Sequence, residues 1–218
     1  MNQPGLWKAP LFTAGLLAGF AVVGVGLVTG THLATKHQIL ENERNRLMLN
    51  VAKVLDPDRY DNDPVRDFMD LADPELLAPN VDNSGGETRV YRAFKDGKPV
   101  AAVFPIVAPD GYNGAIRLLM AIQYDGAVSG VRVLNHRETP GLGDVIEISK
   151  SEWIIDFTGK TLDNPSAAGW KVKKDDGVFD QFTGATITPR AIVTAVHRGL
   201  RLFQKHRMTL FPETTPHS

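Results

Sequence analysis

Residues 179 to 191 read FDQFTGATITPRA and set three threonine hydroxyls, Thr183, Thr186 and Thr188, close together and directly ahead of Pro189. Two kinds of chemistry suit a hydroxyl there. It can cap a helix, its oxygen accepting from a backbone N–H left over in the first turn, while a proline at the first helical position loses nothing by lacking one. It can also carry a covalently attached phosphate group. A loop of small residues ending at a helix N-terminus offers such a group free N–H donors and the positive end of the helix dipole. Thr188 fits the capping role beside Pro189. Capping does not explain Thr183, Thr186 or the small pair Gly184 and Ala185 between them.

Other reactive residue types are sparse or unpaired. The chain has no cysteine, which excludes disulfides, thiolate metal sites, cysteine-ligated iron–sulfur clusters and cysteine nucleophiles. A redox role would therefore need an organic cofactor or a histidine-held metal. The histidines, His32, His37, His136, His197, His206 and His217, include no pair at the helical spacing, joined by a carboxylate, that holds a metal. A hydrolytic triad can be nominated from Thr186, His136 and one of many aspartates, but nothing in the spacing selects it. His136 borders HRETPGLGD, residues 136 to 144, where Pro140, Gly141 and Gly143 supply turn geometry and a bare backbone. From residue types alone this is a turn, as is PDGYNGA at 109 to 115. The run DPDRYDNDPVRDFMDLADPELLAP is acidic enough to raise a calcium loop, but Tyr60 interrupts the alternation and no glycine is present. It reads as solvated linker with short helical turns.

The elements that must position these residues follow from composition and period. With 218 residues and a net charge of -1, the chain suits one domain plus an appendage, and no basic face is on offer to nucleic acid. From Ala9 to Thr35 there is no Asp, Glu, Lys or Arg. This run exceeds the roughly 20 helical residues that cross a hydrocarbon core, and the roughly 7 to 15 apolar residues of a signal peptide. A single uncleaved anchor is expected over 9 to 35, with Gly15/Gly19 and Gly26/Gly30 as small-residue pairs. Lys8 on one side and Lys36, Arg44 and Arg46 on the other leave its orientation open. Ile39, Leu40, Leu47, Val51 and Val54 then predict a juxtamembrane helix that Pro57 stops. Strand-like runs flank Asp96-Gly97 and Asp125-Gly126, a hairpin signal repeated twice. Helical patterns follow in SKSEWIIDFTG and from Pro189 to about His206, where Ile192, Val196, Leu200 and Phe203 form one stripe. Strands first and helices after predict an α+β domain with an antiparallel sheet and packed helices.

Three separated segments carry a family resemblance. DQFTGATITPRA resembles the flavinylation motif D-x-x-[ST]-G-A-[ST] at Asp180, Thr183, Gly184, Ala185 and Thr186. ETPGLGD at 138 to 144 and APDGYNGAI at 108 to 116 look like signatures of the same family. With the single N-terminal anchor, the whole chain resembles the G subunit of Rnf (also called Rsx) electron transport complexes. That subunit is related to the C subunit of the sodium-pumping NADH:quinone oxidoreductase.

The resemblance implies an FMN joined through its phosphate to Thr186 by a dedicated flavin transferase, in a domain on the periplasmic side of the bacterial inner membrane. Asp180 and Thr183 would shape the loop or serve recognition, and Thr188 would keep its cap. Glu138, Thr139, Gly141, Leu142 and Gly143 are the residues expected beside the isoalloxazine ring. The implied layout is a cytoplasmic N-terminus (1–8), the anchor (9–35), a juxtamembrane helix and linker (36–84), an FMN-binding domain (85–207) and a tail (208–218). The implied role is relaying electrons within a complex that couples ferredoxin–NAD oxidoreduction to ion translocation. Its partners would be other membrane, iron–sulfur and flavin subunits, with no nucleic acid and no independent substrate turnover. The competing reading is a periplasmic ligand- or protein-binding module without covalent flavin.

Overall fold

The computed structural model describes residues 8–73, 75 and 87–212. The expected N-terminal stretch before Lys8, the linker residues 76–84 and the tail beyond Pro212 lie outside the described residues. The chain divides into one unit up to Arg46 and another from Leu47 onward.

Helix α1 (Lys8–Ala52), which belongs to the first unit up to Arg46, contains a segment, Thr13–Lys36, long and apolar enough to cross a membrane, with none of its most apolar window buried inside the chain. Its large side chains, among them Leu16, Phe20 and Leu27, are exposed. A helix pairs its backbone polar groups within itself, so an apolar surface of this kind suits hydrocarbon. Thr31 and Thr35 return their hydroxyls to carbonyls one turn back, at 2.7 and 2.8 Å, so these polar side chains are satisfied locally. The expected anchor and juxtamembrane helix form one unbroken element, which ends at Ala52, ahead of Pro57.

The second unit is built on five antiparallel strands in sequential order. They are β1 (Phe68–Leu71), β2 (Thr88–Lys95), β3 (Lys98–Ala108), β4 (Ile116–Gln123) and β5 (Val128–Asn135). The first hairpin turns at Asp96 and Gly97, both with positive φ (51° and 71°), the geometry whose twist matches the strands it joins. The second turns through Gly126, also at positive φ. Strand β1 was not foreseen: it lies inside the acidic stretch read as linker, where Asp63, Pro64, Asp67 and Asp70 mask the alternation. It pairs with β2, and Arg89 holds Asp70 across the pair at 3.1 Å.

Side chains alternate across the pleat. On one face Phe104, Ile106, Leu118, Met120 and Ile122 pack with Ile192, Val196, Leu200 and Phe203 of helix α2 (Ile187–Leu210). On the other, Tyr91, Val103, Leu119 and Ala121 enclose Val51, Val54 and Leu55. The stripe read on α2 is the buried one, but the helix starts before Pro189 and continues past His206. The helix expected in SKSEWIIDFTG is only a short 3-10 turn, Trp153–Phe157. Its buried residues, Trp153, Ile154 and Phe157, recur at about the three-residue spacing that a 3-10 turn also satisfies.

Two glycines allow elements to touch. A Cβ on Gly199 would meet the Met120 sulfur at 2.9 Å, and one on Gly130 would meet the Val54 carbonyl oxygen at 2.8 Å. A methionine tip can move aside, but backbone cannot. Gly130→Val is therefore expected to destabilise the fold by about 1–3 kcal/mol through overpacking, measured as a lower urea midpoint with an unchanged slope.

Asp73 fastens the segment after β1 to the end of α2. Its buried carboxylate accepts from Lys205 Nζ and His206 Nε2, both at 2.7 Å. The Lys205 bond first, then the His206 bond, hold its pKa far below the ordinary carboxylate range, against the opposing effect of burial. A depressed folded pKa means that the unfolded chain binds the proton more readily. The stabilisation is complete above the unfolded value of about 3.9 and is lost as pH falls below it. The unfolding midpoint should drop on acidification through this window, with a flatter profile in Asp73→Asn.

Candidate functional site

The segment after Phe179 is shaped for exposure. Phe182 and Ala185 close a tight turn, Ala185 N–H donating to Phe182 O at 3.1 Å, with Gly184 at φ 82° where a side chain would be strained. Trp153 steadies the entry, its indole N–H donating to Asp180 O at 2.9 Å and its ring meeting Phe182 edge to face. Arg190, in the first turn of α2, grips Asp175 through two bonds of 2.7 and 2.8 Å. This pairing lowers the Asp175 pKa and raises that of Arg190, in each case chiefly through the shared hydrogen bonds.

The helix start overturns the expected cap. Thr186, not Thr188, stands at the N-cap position, and its side chain makes no capping hydrogen bond. A capping oxygen accepts from the second or third helical residue. Here the third is Pro189, which has no N–H, and Thr186 already has helical backbone angles (φ -78°, ψ -26°) that misdirect its oxygen. Its hydroxyl is thus not committed to the helix. Thr188, inside the first turn, has its hydroxyl committed elsewhere. It is fully buried, and its hydroxyl donates to Glu138 Oε2 at 2.5 Å.

Glu138 joins three loops. Besides Thr188, it accepts from the Asn113 backbone N–H through Oε1 at 3.1 Å. Asn113 Nδ2 in turn donates to Thr139 Oγ1 at 3.0 Å. The backbone of Glu138 is fixed as well, its N–H donating to His136 Nδ1 at 3.0 Å. That bond leaves the His136 proton on Nε2, which faces Glu147 Oε1 at 2.8 Å. The His136 hydrogen bond is the main cause of a lowered Glu147 pKa. His136 therefore orients the loop from behind. Gly141 N–H donates to Asp144 Oδ1 at 2.7 Å, and the Leu142 and Gly143 N–H groups both reach Thr139 O, folding the loop on itself.

These elements enclose a cavity of about 350 Å³, within the range of small-molecule sites. Of the residues nominated from sequence, Thr186, Gly184, Ala185 and Thr188 line it from the helix side. Glu138, Thr139, Leu142 and Gly143 line it from the opposite loop. Asp180, Thr183 and Gly141 are not on its wall: Asp180 is exposed and paired with Lys173 at 2.6 Å, and Thr183 is exposed within the turn. Tyr112 and Ile187 were missed. The signal for Tyr112 was an aromatic inside a glycine turn that burial could not explain. Tyr112, Leu142 and Ile187 are respectively 66%, 47% and 44% exposed, although large and apolar. Three such side chains around one cavity fit a flat aromatic ligand, and uncommitted N–H groups at the start of α2 fit its phosphate.

The chain matches the FMN-binding domain family model over residues 111–201, the span that contains every residue of this wall. It thus carries an FMN-binding domain, and the donor set and apolar walls suit that group. Residues 1–54 match the RnfG N-terminal region. The chain is also 45% identical over 213 residues to the G subunit of the ion-translocating oxidoreductase complex of Cereibacter sphaeroides, covering 97% of this chain and 93% of that one. For the same protein of Pseudomonas aeruginosa the identity is 44%, with coverages of 93% and 92%. For that of Vibrio cholerae it is 40%, with coverages of 92% and 93%. The chain belongs to the RnfG family, the G subunits of these Rnf complexes.

Thr188→Val removes the donor to a buried carboxylate oxygen and should cost about 1–3 kcal/mol. Thr188→Ser should recover most of this loss in the same unfolding assay.

Proposed function

We propose that this protein is a membrane-anchored subunit that relays electrons through an FMN attached covalently to Thr186, within a complex that couples ferredoxin–NAD oxidoreduction to ion translocation. The observation that carries the reading is the uncommitted Thr186 hydroxyl at the lip of an apolar-walled cavity, in a chain of the RnfG family. A flavin transferase would deliver the flavin. The Thr186 oxygen bonds to the FMN phosphorus, the phosphorus–oxygen bond to the donor's leaving group breaks, and the hydroxyl proton is released. When bound, FMN supplies the one- and two-electron chemistry, and the protein supplies position and electrostatics.

The chain's residues divide the remaining work. Gly184 and Ala185 keep the loop bare for transferase and phosphate, Asp180 and Thr183 serve the outer face that a transferase meets, and the first N–H groups of α2 receive phosphate oxygens. Glu138, Thr139, Leu142 and Gly143, with Tyr112 and Ile187, bound the ring, and Gly141 shapes their loop. The anchor over 9–35 tethers the domain, 85–207, on the periplasmic side of the inner membrane, beside the membrane, iron–sulfur and flavin subunits of the complex. The segment 36–84 lies between anchor and domain in sequence and contributes Val51, Val54, Leu55 and β1 to the packing of the sheet, with 1–8 on the cytoplasmic side and 208–218 as a tail.

Coexpression with the flavin transferase tests this directly. Intact mass should rise by one FMN less one water, with a flavin-fluorescent band surviving denaturation. Thr186→Val should lose both signals, whereas Thr183→Val and Thr188→Val should keep them. A native protein without either signal would support the noncovalent binding module instead, and label lost only in Thr183→Val would move the acceptor.

A further inference from the structure

Glu138 has a feature that the attachment chemistry does not use. Among the described residues it is the one ionisable side chain, other than the Tyr112 phenol, on the cavity wall; no Lys, Arg or His lines it. The residue is 5% exposed, and a buried charge of this kind persists only when its lone pairs are met. They are met here by donors alone, the Thr188 hydroxyl and the Asn113 N–H, so the group acts as an acceptor. The backbone is cut away to admit it at Gly143, where a Cβ would lie 2.6 Å from Oε2; a Cβ on Gly111 would lie 3.0 Å from Oε1, after meeting the Gly114 carbonyl oxygen at 2.3 Å. Steric room and hydrogen bonds thus hold a carboxylate in place, with no counter-cation on the wall.

We propose that Glu138 sets the reduction potential of the flavin in this cavity, holding it down with a fixed negative charge. The proposal rests on the FMN reading above. In a redox titration dithionite, oxidised to sulfite, gives two electrons to the isoalloxazine. With uptake of one proton the ring gains one negative charge. A buried carboxylate on the wall of the same cavity opposes that gain, and more strongly than a fully exposed one would. Thr188 moderates the effect, because its hydroxyl dipole offsets part of the carboxylate charge. Glu138 is thus a tuning residue, with Thr188 acting through it.

The test is a redox titration of the full-length, detergent-solubilised protein carrying covalent flavin, at one fixed pH for all variants. Glu138→Gln, similar in shape and uncharged, should shift the midpoint upward. Thr188→Val, which keeps the charge but strips its donor, should shift it downward, and Thr188→Ser should stay near the native value. A purely structural role would move Gln and Val variants the same way, toward free flavin. Shifts of like sign, or a loaded Glu138→Gln protein with the native midpoint, overturn the proposal. Should the Gln variant fail to load, the Val variant decides, and no downward shift overturns it. Flavin content by intact mass separates this from failure of the attachment reading, in which the native protein itself carries none.

Discussion

A buried carboxylate must be surrounded by donors, and meeting that demand for Glu138 organises the site. The Asn113 N–H comes from the turn between β3 and β4, the Thr188 hydroxyl from the first turn of α2, and the Glu138 backbone from the loop after β5. Each segment alone is a loop or a helix end with many accessible conformations. Satisfying one carboxylate fixes all three relative to each other, because leaving any of its lone pairs dry costs on the order of 1–3 kcal/mol. The two glycines pressed against the carboxyl oxygens are the steric side of the same constraint.

The sheet and α2 give that constraint something rigid to act on. The meander buries both faces, one against α2 and the other against Val51, Val54 and Leu55. Gly199 and Gly130 allow the close approach on each side. The salt-bridged Asp73 and the bidentate Arg190–Asp175 pair pin opposite ends of α2. Both ends of the helix are thus tied to neighbouring segments.

Much of this was legible in sequence, for identifiable reasons. Both Asp-Gly hairpins and the apolar stripe from Ile192 to Phe203 are local patterns, and local patterns survive folding. Strand β1 was hidden because its pairing with β2 crosses an acidic segment whose composition suggests solvent. The short turn Trp153–Phe157 was read as a helix because three-residue spacing cannot distinguish the two at that length. The cap was misassigned for a subtler reason. Thr188 followed by Pro189 satisfies the usual helix-start pattern, but that pattern says nothing of a carboxylate 50 positions away that competes for the same hydroxyl. Long-range demand overrode a local preference. Tyr112 and Ile187 escaped notice because only the assembled cavity shows that their exposure has a common cause.

The displaced cap also bears on why an ester, rather than an ion pair, would retain the flavin. A noncovalent phosphate site usually combines a helix N-terminus with a cation. Here the helix N-terminus is open, and among the described residues no cation lines the cavity. Pro189 at the third helical position removes one further donor that a phosphate would use. With a buried carboxylate on the wall and no cation among the described residues, the N–H groups at the start of α2 are the donors left to a free phosphate dianion. Esterification to Thr186 lowers the charge of the phosphate and replaces binding affinity with a bond. Attachment to Thr186, as proposed, would retain FMN in spite of the proline and the buried Glu138.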